Sequence, residues 1–200
     1  MREFEQSTLI VRAGDLWSQA TKAQFLSAIR DGNLPQEAFS RWLAQDYLFA
    51  RGATTFLAVT IAKTPRPAQK VLISGLTALD LELNWFEENA QERGLDLNVA
   101  PHQTCRRYVD FLVASAYSQP FEVLLAILYG AEVSYLCAWS ALEATGPYAE
   151  FIHRWSNAQF VEYVRQLLRL CEQYPHADQQ AQFNEVLRHE RDFWRMTWEG

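Results

Sequence analysis

Val123-Leu-Leu-Ala-Ile-Leu-Tyr-Gly-Ala-Glu132-Val-Ser-Tyr-Leu-Cys-Ala-Trp-Ser-Ala-Leu142 runs for 20 residues with one charge, Glu132. Its length alone would let it cross a bilayer. It has no basic anchors at its ends, no second segment like it, and amphipathic neighbours on both sides. Such a helix is expected at the centre of a bundle, apolar all round because other helices cover every face.

The neighbours carry helical periodicity of the one-faced kind. Working outward, helices are expected over Thr8 to Ile29, Pro35 to about Ala62, Ala68 to Arg93 and Pro101 to about Tyr117. The apolar helix itself is expected over Phe121 to Ala144. Tyr148 to about Cys171 follows, with a break near Ser156-Asn157, and then His176 to Trp198. The stops are chemically marked by Asp31-Gly-Asn, Thr64-Pro-Arg-Pro, Gly94, Ser118-Gln-Pro and Gly146-Pro. No segment alternates with the period of a strand. The 8 Gly and 7 Pro fall well short of the roughly 24 that a 200-residue chain of average usage would hold. A β-sandwich or barrel spends such residues on turns. The expectation is an all-α, single-domain helical bundle spanning residues 1–200.

Charge narrows the partners. The net charge is -6, from 18 basic and 24 acidic residues, and no basic tract stands out. Neither nucleic acid nor an anionic membrane is an expected partner. Three cysteines without a CxxC, and a first segment lacking the basic-then-apolar order of a signal peptide, point to a reduced, cytoplasmic protein.

Four carboxylates are candidates for chemistry. Glu132 lies mid-helix with apolar residues over two turns on each side, where losing its water costs several kcal/mol unless it is paired, bonded or protonated. The bland alternative is a structural carboxylate bonded to a buried ring. Tyr129 and Tyr135 lie three residues away on either side and share its face broadly. Asp46 shares a face with Trp42, Phe49 and Ala53; a surface ion pair with Arg41 or Arg51 is the alternative. Glu82 sits in an acidic stretch whose other members read as a solvated face. Glu190 has Val186, Phe193 and Trp194 on its own face, while Arg188, Arg191 and Arg195 occupy others.

Other chemistries find little support. A carboxylate-bridged metal pair needs Glu-x-x-His on two helices, and only Glu150-Phe-Ile-His153 fits. No metal and no cofactor is expected. No GxSxG, P-loop or GxGxxG occurs, and Cys137 in the apolar helix reads as a small packing residue.

Five segments, in order, carry a resemblance. They are Asp31-Gly-Asn-Leu-Pro…Phe39…Trp42-Leu-Ala-Gln-Asp-Tyr, Glu82-Leu-Asn-Trp-Phe-Glu…Gly94-Leu-Asp-Leu and Cys105-Arg-Arg-Tyr-Val-Asp-Phe-Leu, then Tyr148-Ala-Glu-Phe-Ile-His-Arg-Trp-Ser…Phe160 and Glu190-Arg-Asp-Phe-Trp-Arg-Met. The pattern resembles the TenA (thiaminase II-like) family of the haem-oxygenase-like all-α fold. That resemblance implies an aminopyrimidine held between rings and hydrolysed at its exocyclic methylene C–N bond. It implies that Asp46 bonds the amidine edge of the pyrimidine and that Glu190 gives and takes protons. It places Tyr108 and Tyr135 in the pocket. The family's cysteine register falls on Ala131, beside Glu132, and a family tyrosine falls on Trp155. The chain therefore resembles the branch that lacks the cysteine and acts on aminopyrimidine and formylaminopyrimidine breakdown products of thiamin.

The expected function is hydrolysis of those compounds to the hydroxymethylpyrimidine for thiamin salvage. Glu190 and Glu132 are the expected catalytic pair. Asp46, Glu82, Tyr47, Phe49, Tyr108, Tyr135 and Trp155 are expected to bind substrate. A homo-oligomer, dimer or tetramer, is implied by the resemblance alone. The alternatives are an oxidase or oxygenase on the same fold, and a pyrimidine-binding protein without activity.

Overall fold

A computed structural model describes residues 2–200. Among these, the chain folds into helices joined by turns and loops, without strands. Four short helices come first: α1 (Arg2–Glu5), α2 (Thr8–Ala13), α3 (Asp15–Thr21) and α4 (Gln24–Arg30). Four long ones follow: α5 (Gln36–Lys63), α6 (Arg66–Glu92), α7 (Gln103–Ser118) and α8 (Phe121–Ser140). After a 3₁₀ turn at Gly146–Tyr148 come α9 (Ala149–Arg154), α10 (Ala158–Gln173) and α11 (Gln179–Glu199).

The apolar run forms α8, shorter than expected at its C-terminal end. α8 packs against α10, α11, α3 and α5. Its apolar window has 67% of residues buried inside the protein, and it is the core helix. Each fully buried Leu, Ile or Val there contributes about 1.5–3 kcal/mol. At Gly130 an added Cβ would meet Phe183 and Val186 of α11 at 3.2 Å, so the glycine permits a close crossing.

Two other expected elements differ. The single helix over Thr8 to Ile29 is three helices, α2 to α4. Gly14 takes a φ of 58°, which a helix interior forbids and glycine tolerates, and Lys22 breaks the chain again at φ −121°. The short pieces wrap around α11 instead of running past it. At the third helix, Pro67 enters within the first turn, where no helical acceptor needs its missing N–H, so α6 begins at Arg66. The break expected near Ser156-Asn157 is present. Asn157 caps α10, its Oδ1 accepting the N–H of Gln159 and Phe160 at 2.9 Å.

Candidate active site

The helices close around a cavity of about 630 Å³. α5 supplies Asp46, α6 Glu82, α8 Glu132 and α11 Glu190, and all four line it. Phe49, Phe86, Tyr108, Tyr135, Trp155 and Phe193 wall it with rings. The exposed Ser74, Ala78, Leu81 and Gln159 mark where it opens, between α6 and the start of α10.

At the inner end the carboxylates are held by phenols. Tyr135 Oη donates to Asp46 Oδ2 at 2.6 Å and accepts from Trp42 Nε1 at 3.1 Å. Tyr135 and Asp46 are therefore fixed as a relay rooted in the core, where Trp42 is fully buried. Tyr108 Oη donates to Glu190 Oε1 at 2.7 Å. Tyr108 is itself clamped between Phe49, at 4.6 Å between ring centroids, and His189, stacked at 4.8 Å. Towards the opening, Trp155 Nε1 donates to Glu82 Oε1 at 2.9 Å. The bland alternative for Glu132, a bond to a buried ring, is not what the fold builds: its carboxyl faces the cavity with no protein donor among the described residues.

Burial controls the proton affinities. Loss of water pushes Glu132 up to about 8, helped by the charges of Glu82 and Glu190. Loss of water also pushes Glu190 up to about 8, against the pull of the Tyr108 hydrogen bond. Asp46 is raised by burial, held back by Tyr135, and raised further by Glu82 and Glu190. Glu82 is raised by burial and opposed by the nearby Arg154 charge and the Trp155 bond. Two carboxyls poised near neutrality in one cavity can exchange protons with a bound molecule at physiological pH.

Of the nine candidate residues, eight line the cavity, and Tyr47 does not. Its hydroxyl donates to Glu87 Oε1 at 2.8 Å on the outer surface, with Arg51 over its ring. One residue along a helix is a rotation of about 100°, so the position next to Asp46 cannot share its direction. Tyr129 also turns away from Glu132: its hydroxyl donates to Ser7 Oγ and its ring packs on Phe183. Among the lining residues that the sequence pattern did not single out, two are polar and placed to matter. Tyr163 lies one turn after Phe160 on α10, a spacing that would have suggested it, and Arg154 directly precedes Trp155. The one Glu-x-x-His ends on the surface, where Glu150 pairs with Arg93. Among the described residues no group of three or more His, Cys, Asp or Glu is arranged to hold a metal ion.

An all-α bundle enclosing a ring-walled cavity of this size with a few convergent carboxylates has the character of a small-molecule site. The chain belongs to the TENA/THI-4/PQQC family, whose model matches residues 11–200. It is 29% identical over 202 residues to a Glycine max protein named "Probable bifunctional TENA-E protein", covering 91% of this chain and 88% of that one. The solved structure of a TenA homologue from Pyrococcus furiosus superposes with a TM-score of 0.84 at 28% identity, covering 96% of both chains. A Silicibacter structure described as a TenA family transcription regulator reaches a TM-score of 0.89 at 19% identity, covering 96% of this chain and 95% of that one; this likeness is one of fold.

Proposed function

We propose that this protein hydrolyses aminomethyl- and formylaminomethyl-pyrimidines derived from thiamin to the hydroxymethylpyrimidine. The observation that carries the reading is the convergence of Asp46, Glu82, Glu132 and Glu190, from four helices, on one ring-lined cavity. Membership of the TENA/THI-4/PQQC family supports it. The TENA-E name of the Glycine max relative agrees with a cysteine-free branch, and Ala131 lines the cavity where the family's cysteine register falls.

In this reading Asp46 pairs with the amidine edge of the pyrimidine while Tyr135 holds the carboxylate in line. Phe49, Tyr108 and Trp155 enclose the ring. Tyr108 donates to Glu190 and so favours its ionised form, which makes Glu190 the base that takes a proton from water. The water oxygen bonds to the exocyclic methylene carbon as its C–N bond breaks, and the bonding pair leaves with nitrogen. Glu132, without a stabilising donor, keeps its proton longer and delivers it to that nitrogen, so the aminomethyl compound releases ammonia and the formylaminomethyl compound formamide. The two carboxyls titrate as a pair. The three thiols are free and buried or half-buried, in keeping with a reduced, cytoplasmic setting. A dimer or tetramer is proposed with it, and sedimentation tests that part.

The deciding experiment incubates purified protein with each precursor and follows hydroxymethylpyrimidine by chromatography. Product from at least one, lost in Glu190→Gln, is expected. Binding of both precursors with no product from either would leave a pyrimidine-binding protein instead.

A further inference from the structure

Arg154 stands at the outer end of the same cavity, and none of the chemistry above uses it. It is the last residue of α9, half-buried, and it lines the cavity. Its guanidinium lies 4.3 Å from the centroid of the Trp85 ring. A cation over a ring face keeps its N–H donors, up to five of them, available to an acceptor. The charge that acts on it is Glu82, but Glu82 Oε1 already accepts from Trp155. Among the described residues the Arg154 side chain has neither an ion pair nor a hydrogen bond.

Its position is nonetheless held. Asn157 Nδ2 donates to the Arg154 carbonyl, while the same side chain caps α10. A guanidinium that is partly stripped of water, held over a ring and anchored in its backbone, yet without an acceptor, is arranged to receive one from a ligand. The cavity leaves room for it. At about 630 Å³ it lies within the roughly 300–1,000 Å³ range of sites for drug-sized ligands, more than a one-ring compound fills. Arg154 acts on Glu82 but not on Asp46, so a pyrimidine bonded at Asp46 leaves the Arg154 end of the cavity to the rest of the substrate.

We propose that Arg154 is a specificity-determining residue that takes an oxygen acceptor on the leaving-group side. The site then favours N-acylated aminomethyl-pyrimidines over the free amine, and favours most those whose acyl group ends in a carboxylate. The free amine carries no acceptor oxygen, and its protonated form in solution is repelled by a neighbouring cation. Acylation removes that charge and adds a carbonyl acceptor. A terminal carboxylate adds a bidentate, charge-assisted pair.

This inference rests on the proposed function, and its test separates the two. Binding of the aminomethyl, formylaminomethyl and succinylaminomethyl pyrimidines is measured by calorimetry on wild type and Arg154→Met. The variant is expected to weaken the succinyl compound about 30-fold and the formyl compound about fivefold, leaving the amine within about twofold. Equal weakening of all three, or none, overturns the proposal. Should Arg154→Met fail to fold, wild type alone decides. Its preference for the succinyl compound over the amine falls as salt rises if a charge pair supplies it, and a preference indifferent to salt overturns the proposal. Acyl-ordered binding without any hydroxymethylpyrimidine product would remove the hydrolase reading and keep the subsite. Turnover with the same acyl selectivity in wild type and Arg154→Met would do the reverse.

Discussion

Replacing Glu132 with glutamine makes a demand on stability as well as on rate. The folded protein raises this carboxyl from an ordinary 4.5 to about 8. Between those values the folded state keeps a proton that the unfolded state has released, so stability falls as pH rises through this window. Each pH unit is worth about 1.36 kcal/mol, which gives about 3 kcal/mol between pH 4.5 and 7. Glu132 is half-buried and faces a cavity open to water, and screening reduces the figure to about 1–2 kcal/mol. Glutamine has no proton to lose. Glu132→Gln and wild type are therefore expected to be nearly equal in stability near pH 5. The variant is expected to be the more stable by about 1–2 kcal/mol at pH 7, with a larger gap at pH 8. Urea unfolding at the three pH values measures this directly. The variant also loses the proton donor, and a fall of roughly 10²–10⁴ in turnover is expected. A stability difference that is constant with pH, or that favours wild type more strongly as pH rises, would refute the account of a carboxyl held above its ordinary range by burial.

Three other outcomes follow from the geometry. Gly75→Ala puts a Cβ 2.2 Å from the Tyr163 hydroxyl, and a loss of about 1–3 kcal/mol is expected in thermal unfolding; Tyr163→Phe in the same chain should recover part of it by removing that oxygen. Tyr135→Phe removes the donor that holds Asp46 down, so the pyrimidine KM should rise about tenfold and the acid limb of kcat/KM should move to higher pH. None of Cys105, Cys137 and Cys171 lines the cavity, and burial pushes the Cys105 and Cys137 thiols up to about 12. Cys137→Ser should keep full turnover, and iodoacetamide should leave wild type active over the course of an assay.

The sequence by itself determined the helical class and three of the four carboxylates as singular. Few breakers and a 20-residue apolar run leave only a covered central helix, and an acid among rings is conspicuous because losing its water is costly. Glu82 was less distinct because its neighbours are acids with solvent to face. Local pattern failed where direction depends on one residue of rotation, as with Tyr47, or on a single backbone angle, as at Gly14. Tertiary structure alone decided that Asp46, Glu82, Glu132 and Glu190 meet, and that Tyr163 and Arg154 join them. Helical periodicity tells which face a residue occupies on its own axis. The meeting of faces is set by how seven packed helices, α5 to α11, bury their apolar stripes against one another, a long-range balance that no stretch of chain carries alone.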